Sequence, residues 1–341
     1  MSKYFLTICI PTYNRADVLD FLLNELFNQI EFNNFSDVKI AVSDNSTNDD
    51  TGKLILSKEK YRKIVYNKNK ENLGAFGNLM KVTSMVTSEF VWVLGDDDFV
   101  TPNAIKNIYQ ELQNCNADID FIFLNSCGFD STLSYISSSN ESPHLKTHLY
   151  SKKSMKLFSD FSFSSLGHFS RLVFRQKAWL DNNPIHQREP FEIYPQIKSI
   201  LKIASNNPVL FLDKIIIINS RRAINASASW SGYGSIYWAY EYLSLLNIAS
   251  ETYGYNKTIK NQKYYYTRKI VLSYLKMNVQ KETYAKILFK IKKELSNSLF
   301  YFVFMKPIEI MCLSSFSRLL IKKIGSKLGV TFHNIQLDTN Q

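Results

Sequence analysis

The sequence predicts an α/β fold in which a mostly parallel sheet is flanked by helices and followed by a basic helical region. Three observations carry that expectation. Short apolar runs alternate with helix-period segments through residue 125, the pattern of strand–helix–strand units. Three consecutive aspartates, Asp96, Asp97 and Asp98, directly follow one of the apolar runs. The net charge of +11 lies wholly beyond residue 250: residues 251–341 hold 16 Lys and Arg against 5 Asp and Glu, while the 25 basic and 25 acidic residues before them cancel.

Taken in order, the predicted strands are Phe5 to Ile10, Val38 to Ser43, Lys63 to Tyr66, Phe90 to Leu94, Ile119 to Leu124 and Val209 to Ile218. Between the first two, Leu19, Leu22, Leu23, Leu26, Phe27 and Ile30 repeat at helical spacing, with Asn14 available as the cap. A further helix is predicted from Pro102, capped by Thr101, because proline is tolerated in a first turn. Residues 131–148, rich in serine and without periodicity, read as a mobile loop. From about Ser235 the pattern is helical and aromatic.

With 341 residues, 45% hydrophobic and 21% charged, the chain has enough apolar material for a deep core and is neither disordered nor a coiled-coil rod. The longest apolar run, Leu299 to Met305, is closed by Lys306 and Pro307, well short of a bilayer span. The beginning Met1-Ser2-Lys3 leads directly into an apolar strand, which predicts a cytoplasmic protein. Cys9, Cys115, Cys127 and Cys312 show no CxxC spacing, and the five histidines form no HExxH, so no zinc site is expected. In the basic region, Phe316, Leu319, Leu320, Ile324 and Leu328 recur at helical spacing among Arg318, Lys322, Lys323 and Lys327. That pattern suits an anionic membrane surface on the inner face of a membrane, or a core helix with a solvated basic face; no nucleic-acid motif accompanies it.

Chemistry concentrates in Trp92-Val-Leu-Gly-Asp-Asp-Asp98. Three like charges at a strand end call for a cation, and oxygen-only sites suit Mg²⁺ or Mn²⁺ held jointly with substrate phosphates. The cluster also falls at the carboxyl end of a strand, where open α/β sheets form their ligand crevice. The alternative is an acidic turn that precedes the helix at Pro102. Three further motifs share that setting: Cys9-Ile-Pro-Thr-Tyr-Asn-Arg15, Val42-Ser-Asp-Asn-Ser46 and Asn72-Leu-Gly-Ala-Phe-Gly-Asn78. Taken together in this order, over roughly residues 4–125, they resemble the family 2 nucleotide-sugar glycosyltransferases of the GT-A fold. The nearest resemblance is to the bacterial O-antigen and capsule group that includes abequosyltransferases.

The resemblance implies a metal-dependent, inverting transfer of sugar from a nucleoside diphosphate to a bacterial surface glycan or lipid-linked glycan. It implies a GT-A domain over residues 1–224, with a nucleotide-sugar half (1–100) and an acceptor half (101–224), ahead of a basic, membrane-associated region (225–341). Pro11, Thr12 and Tyr13 would shape the base pocket, Asp44 would accept a hydrogen bond from base or ribose, and Asn72 and Gly74 would form the turn beside the nucleotide. Arg15 supports the pocket, faces the diphosphate or is simply a first-turn helix residue, and Asn78 is either part of the site or simply a helix residue. Asp96 maps to the ribose and Asp98 to the metal, with Asp96 also near the metal and Asp97 the rival ligand, because the aspartates fit the family's pattern in two registers. The family's acceptor-side base belongs to a Glu-Asp pair that this chain lacks; Glu192, then Glu189, stand in its place or are solvated surface glutamates. Arg221 and Arg222 follow a strand, positioned to clamp a diphosphate or to lie on the surface. Trp230, Tyr233, Tyr237 and Trp238 are available to stack on a sugar or to fill a core. Two rival readings are a nucleotidyl- or phosphotransferase using the same acidic site, against which the missing Walker A lysine loop speaks, and a catalytically dead peripheral scaffold.

Overall fold

A computed structural model describes residues 4–266 apart from 48–49, 116–117, 130–135, 139–144, 162, 183–193, 220–234, 255–256, 258 and 264. In chain order the elements are β1 (Tyr4–Thr12), α1 (Ala16–Phe32), β2 (Val38–Asp44), α2 (Thr51–Ser57), β3 (Val65–Lys68), α3 (Gly74–Ser84) and β4 (Ser88–Val93). There follow β5 (Phe99–Val100), α4 (Ala104–Asn114), β6 (Phe121–Phe129), β7 (Ile136–Ser138), β8 (His148–Tyr150), α5 (Met155–Asp160) and α6 (Phe163–Leu166). A 3-10 turn at Phe169–Arg171 leads into β9 (Leu172–Arg175), α7 (Gln176–Asp181), α8 (Pro195–Asn206), β10 (Val209–Asn219) and α9 (Ser235–Tyr253).

The strands form one sheet in the order β3-β2-β1-β4-β9-β6-β10-β5, with β7 beside β6 and β8 beside β10. From β3 to β4 every pairing is parallel. Beyond β4 the sheet is mixed: β9 runs antiparallel to both β4 and β6, while β6 and β10 are parallel. The predicted α/β class holds, with the run β3-β2-β1-β4 parallel throughout and the remainder mixed. Leu6, Ile8 and Ile10 of β1, with Val38, Ile40 and Val42 of β2, join Leu19, Leu22, Leu23 and Leu26 of α1 in one buried core. Thr7 and Cys9, on the opposite face of β1, are buried as well, as expected for a parallel strand covered on both sides.

By its internal contacts the chain divides into two compact units, Met1–Ser231 with Ile248–Tyr255, and Gly232–Asn247 with Asn256–Gln341. Residues 267–341, which hold most of the basic region, lie outside the described residues. Among the described residues no helix is long and apolar enough to cross a membrane.

Three local expectations are corrected. Asn14 does not cap α1: it adopts a left-handed conformation (φ 54°), and its side-chain oxygen accepts the Thr47 N–H at 3.3 Å. Asparagine tolerates that region better than most residues, so it serves as a turn residue here. The helix expected from Pro102 begins at Ala104, after Asn103 at φ 65°, because the Thr101 hydroxyl donates to the Ile215 carbonyl of β10 at 2.7 Å instead of capping. Gln29 of α1 supplies the acceptor in its place: its Oε1 takes the Ile105 N–H at 3.2 Å, and its Nε2 donates to the Thr101 carbonyl at 3.0 Å. The segment 131–148, read as a loop, contributes β7 and the first residue of β8 to the sheet. Gln29→Leu keeps the volume but removes these buried hydrogen bonds. We expect a loss of about 1–3 kcal/mol, measured as a lower urea midpoint with an unchanged m-value.

Candidate nucleotide and metal site

The site forms where β1, β2 and β4 end side by side. The parallel register sets Thr12 opposite Asp44, and the Asn45 N–H donates to the Thr12 carbonyl at 3.0 Å. On the other flank the Leu94 N–H donates to the Cys9 carbonyl at 3.0 Å, which delivers the aspartate turn beside Thr12.

Asp96 is buried at 4% exposure and carries a partner on each oxygen. The Thr12 hydroxyl donates to its Oδ2 at 2.7 Å, and the Arg15 guanidinium to its Oδ1 at 2.8 Å. The same Arg15 nitrogen stands 3.0 Å from Asp97 Oδ2. Arg15 thus braces the acidic turn and holds two of its three carboxylates. Burial works against the charge on Arg15, but Asp96, Asp97 and Asp98 outweigh it and its pKa rises above the ordinary arginine value. Burial pushes the Asp96 carboxyl up to about 6; Asp97 adds to the rise, while Arg15 and Thr12 oppose it. Asp98 is 8% exposed and accepts a hydrogen bond from the Ser170 hydroxyl.

On the β2 side Asp44 is fully buried. Its Oδ1 accepts the Ser46 N–H at 2.7 Å, and its Oδ2 accepts the Tyr66 hydroxyl at 2.9 Å, with the Lys68 Nζ at 3.4 Å. Gly74 opens α3 at φ +71°, a conformation that favours glycine, and its N–H donates to Asn72 Oδ1 at 2.8 Å. Asn45 ties this turn to β2 by donating to Asn72 Oδ1 at 3.0 Å and to the Gly74 carbonyl at 3.2 Å. Asn78 is buried and donates to the Thr12 carbonyl at 3.1 Å. The Asn69 amide reaches Asn45 Oδ1 at 2.8 Å and Asn78 Oδ1 at 2.9 Å. Tyr13 stands at the rim, 45% exposed, next to the partly buried Pro11.

The structure therefore brings Thr12, Arg15, Asp96, Asp97 and Asp98 into one cluster and Asp44, Asn72, Gly74 and Asn78 into an adjoining network. Glu189, Glu192, Arg221, Arg222, Trp230 and Tyr233 lie outside the described residues. Asn45, Tyr66, Lys68, Asn69 and Ser170 are additions to the predicted set. Asn45 belongs to a motif already singled out, but Asn69 sits in an undistinguished polar stretch and Ser170 in a crowd of Ser and Phe.

A buried acidic turn at the carboxyl ends of parallel strands lies next to a glycine turn that opens a helix, at the crevice where open α/β sheets take their ligands. The chain belongs to glycosyl transferase family 2, whose family model matches residues 7–178, half of its length. It is 35% identical over 116 residues to abequosyltransferase RfbV of Salmonella typhimurium. That match covers 33% of this chain and 34% of the relative, so the likeness spans about a third of either protein. Among solved structures, Staphylococcus aureus TarS 1–349 in complex with UDP-GlcNAc superposes with a TM-score of 0.56 at 14% identity, covering 98% of this chain and 95% of that one. A mannosyltransferase, PcManGT from Pyrobaculum calidifontis in complex with GDP-Man and Mn²⁺, gives 0.50 at 12% identity, covering 96% and 88%. These two likenesses are of fold.

The Asp96 pKa fixes the sign of a pH effect. Its unfolded value is near 3.8, so between pH 4 and about 6 the folded chain holds a proton that the unfolded chain has released. Its contribution to stability is greatest below that window and declines as pH rises through it. Asp96→Asn should flatten this decline, read from denaturation midpoints at pH 4.5 and 6.5.

Proposed function

We propose that the protein is a metal-dependent, inverting glycosyltransferase that moves a sugar from a nucleoside diphosphate to a bacterial surface glycan, either O-antigen, capsule or a lipid-linked oligosaccharide. One observation carries the reading: Asp98, a buried carboxylate, is held at the end of β4 beside a turn whose other two carboxylates share Arg15. The donor set fits a hard divalent cation. Among the described residues no three His, Cys, Asp or Glu side chains converge as a complete cage, and Mg²⁺ or Mn²⁺ commonly takes one or two carboxylates and completes its shell from phosphates and water. Asp98, with Asp97 as the rival, would hold that ion, which when bound neutralises charge building on the leaving diphosphate.

In this reading Pro11, Thr12 and Tyr13 line the base pocket, with Asp44 in its floor. Asn72 and Gly74 let backbone pass close to the nucleotide. Asp96, whose oxygens Thr12 and Arg15 already orient, faces the ribose. Glu192, with Glu189 second, takes the proton from the acceptor hydroxyl as its oxygen bonds to the anomeric carbon and the bond to the diphosphate breaks. A carboxylate base in that role contributes about 10²- to 10⁴-fold. Arg221 and Arg222 offer guanidinium groups to the departing phosphates. The region from residue 225 onward holds the protein against an anionic leaflet through its excess of lysine and arginine, each residue near the headgroups contributing about 1 kcal/mol. The likeness to an abequosyltransferase and the fold shared with two nucleotide-sugar complexes support the donor class.

A thermal-shift panel of nucleotide-sugars with and without Mn²⁺ tests the proposal, since a ligand that binds only the folded chain raises its melting temperature. We expect one donor class to shift the transition, with metal increasing the shift, and turnover to release a nucleoside diphosphate; release of pyrophosphate would favour nucleotidyl transfer instead. Asp98→Ala should abolish turnover with the circular dichroism spectrum unchanged. Glu192→Gln should lower kcat at least 100-fold, roughly the low end of a general-base contribution, at similar donor affinity. Retained activity in either variant removes that residue from its role.

A further inference from the structure

The aspartate turn is closed by a side chain that arrives from 72 residues further along the chain. Ser170 lies in the 3-10 turn Phe169–Arg171 and is 1% exposed. Because β9 runs antiparallel to β4, with Leu172 opposite Val93, that turn is delivered to the end of β4 where the aspartates begin. The indole Nε1 of Trp92 donates to the Ser170 carbonyl at 2.8 Å, so the strand that carries the acidic turn also fixes the serine backbone.

The hydroxyl then makes two bonds whose directions are forced. The Gly95 N–H can only donate, and it does so to Ser170 Oγ at 2.9 Å. The single hydroxyl hydrogen is left to go to Asp98 Oδ2, which must accept it. Space is equally constrained: a Cβ on Gly95 would stand 3.2 Å from both Ser170 Oγ and Asp98 Oδ2, and 3.3 Å from Asp97 Oδ1. Glycine at this position lets the clip close.

We infer that Ser170 is a positioning residue, a clip that fixes the Asp98 carboxylate before a divalent cation and its nucleoside diphosphate bind. The inference rests on Asp98 being the metal-holding carboxylate proposed above. A carboxylate already fixed loses little rotamer freedom on binding, and removing such an orienting partner weakens metal affinity by about 10- to 100-fold.

The test titrates Mn²⁺ into the full chain with saturating UDP, or GDP where UDP retains no Mn²⁺, and follows free Mn²⁺ by electron paramagnetic resonance. Wild type, Ser170→Ala, Gly95→Ala and Asp98→Ala are compared, with melting temperature measured in parallel. We expect Asp98→Ala to lose nucleotide-dependent Mn²⁺ binding, and Ser170→Ala to bind Mn²⁺ about 10- to 100-fold more weakly. Gly95→Ala, in which serine is kept but crowded, should weaken binding in the same direction and carries the test should Ser170→Ala fail to fold. Wild-type Mn²⁺ affinity in the serine and glycine variants, with binding lost in Asp98→Ala, overturns the clip and leaves the metal assignment standing. Wild-type affinity in Asp98→Ala, or no Mn²⁺–nucleotide complex with wild type, overturns both.

Discussion

A carboxylate as enclosed as Asp96 is tolerated only where its lost hydration is replaced, and here Thr12 and Arg15 replace it, one on each oxygen. That pair of contacts ties together three pieces of chain: the end of β1, the residue before α1 and the turn after β4. Parallel strands that end together leave backbone and side-chain polar groups beyond the last ladder bond, and these must find one another or water. The site is the place where they find one another. Its position follows from the strand order β2-β1-β4, which sets β1 between the strand that ends at Asp44 and the strand that leads into Asp96.

The two halves of the site solve the same problem by different chemistry. On the β2 side the solution is largely neutral: Asn45, Asn69, Asn72 and Asn78 exchange amide hydrogen bonds with one another, with Gly74 and with Thr12. On the β4 side it is ionic for Asp96 and Asp97, which share Arg15, while Asp98 takes the Ser170 hydroxyl. The amide side forms a defined turn at which backbone lies open to close approach. The acidic side gathers three carboxylates in one turn, each oriented by a side chain from another part of the chain.

Much of this was legible in the sequence because the signals were local. Alternation of apolar runs and helical spacing placed β1, α1, β2, β4 and β10 close to their true limits, and the motifs at residues 9–15, 42–46, 72–78 and 92–98 all fell at strand ends or helix starts. Local signals also misled where a tertiary partner competed for the same atom. Asn14 had the chemistry of a cap, but the loop after β2 claimed its side chain. Thr101 had it too, but β10 claimed its hydroxyl and Gln29 took over at α4. A buried glutamine on an amphipathic helix carries no sign in sequence of the helix it will cap.

By itself the sequence determined the segments that become β1, β2, β3, β4, β6, β10 and α1, that a carboxylate cluster follows a strand, and that the net positive charge falls in the last 91 residues, because periodicity, composition and short motifs are properties of neighbours along the chain. Only the tertiary structure decided that Arg15 pairs with Asp96 and Asp97, that Asp44 is enclosed by Ser46, Tyr66 and Lys68, and that Ser170 reaches Asp98 through an antiparallel strand inserted beside β4. Those contacts join residues far apart in sequence, and each exists because a buried polar group is costly until some side chain, from wherever the fold brings one, completes its hydrogen bonds.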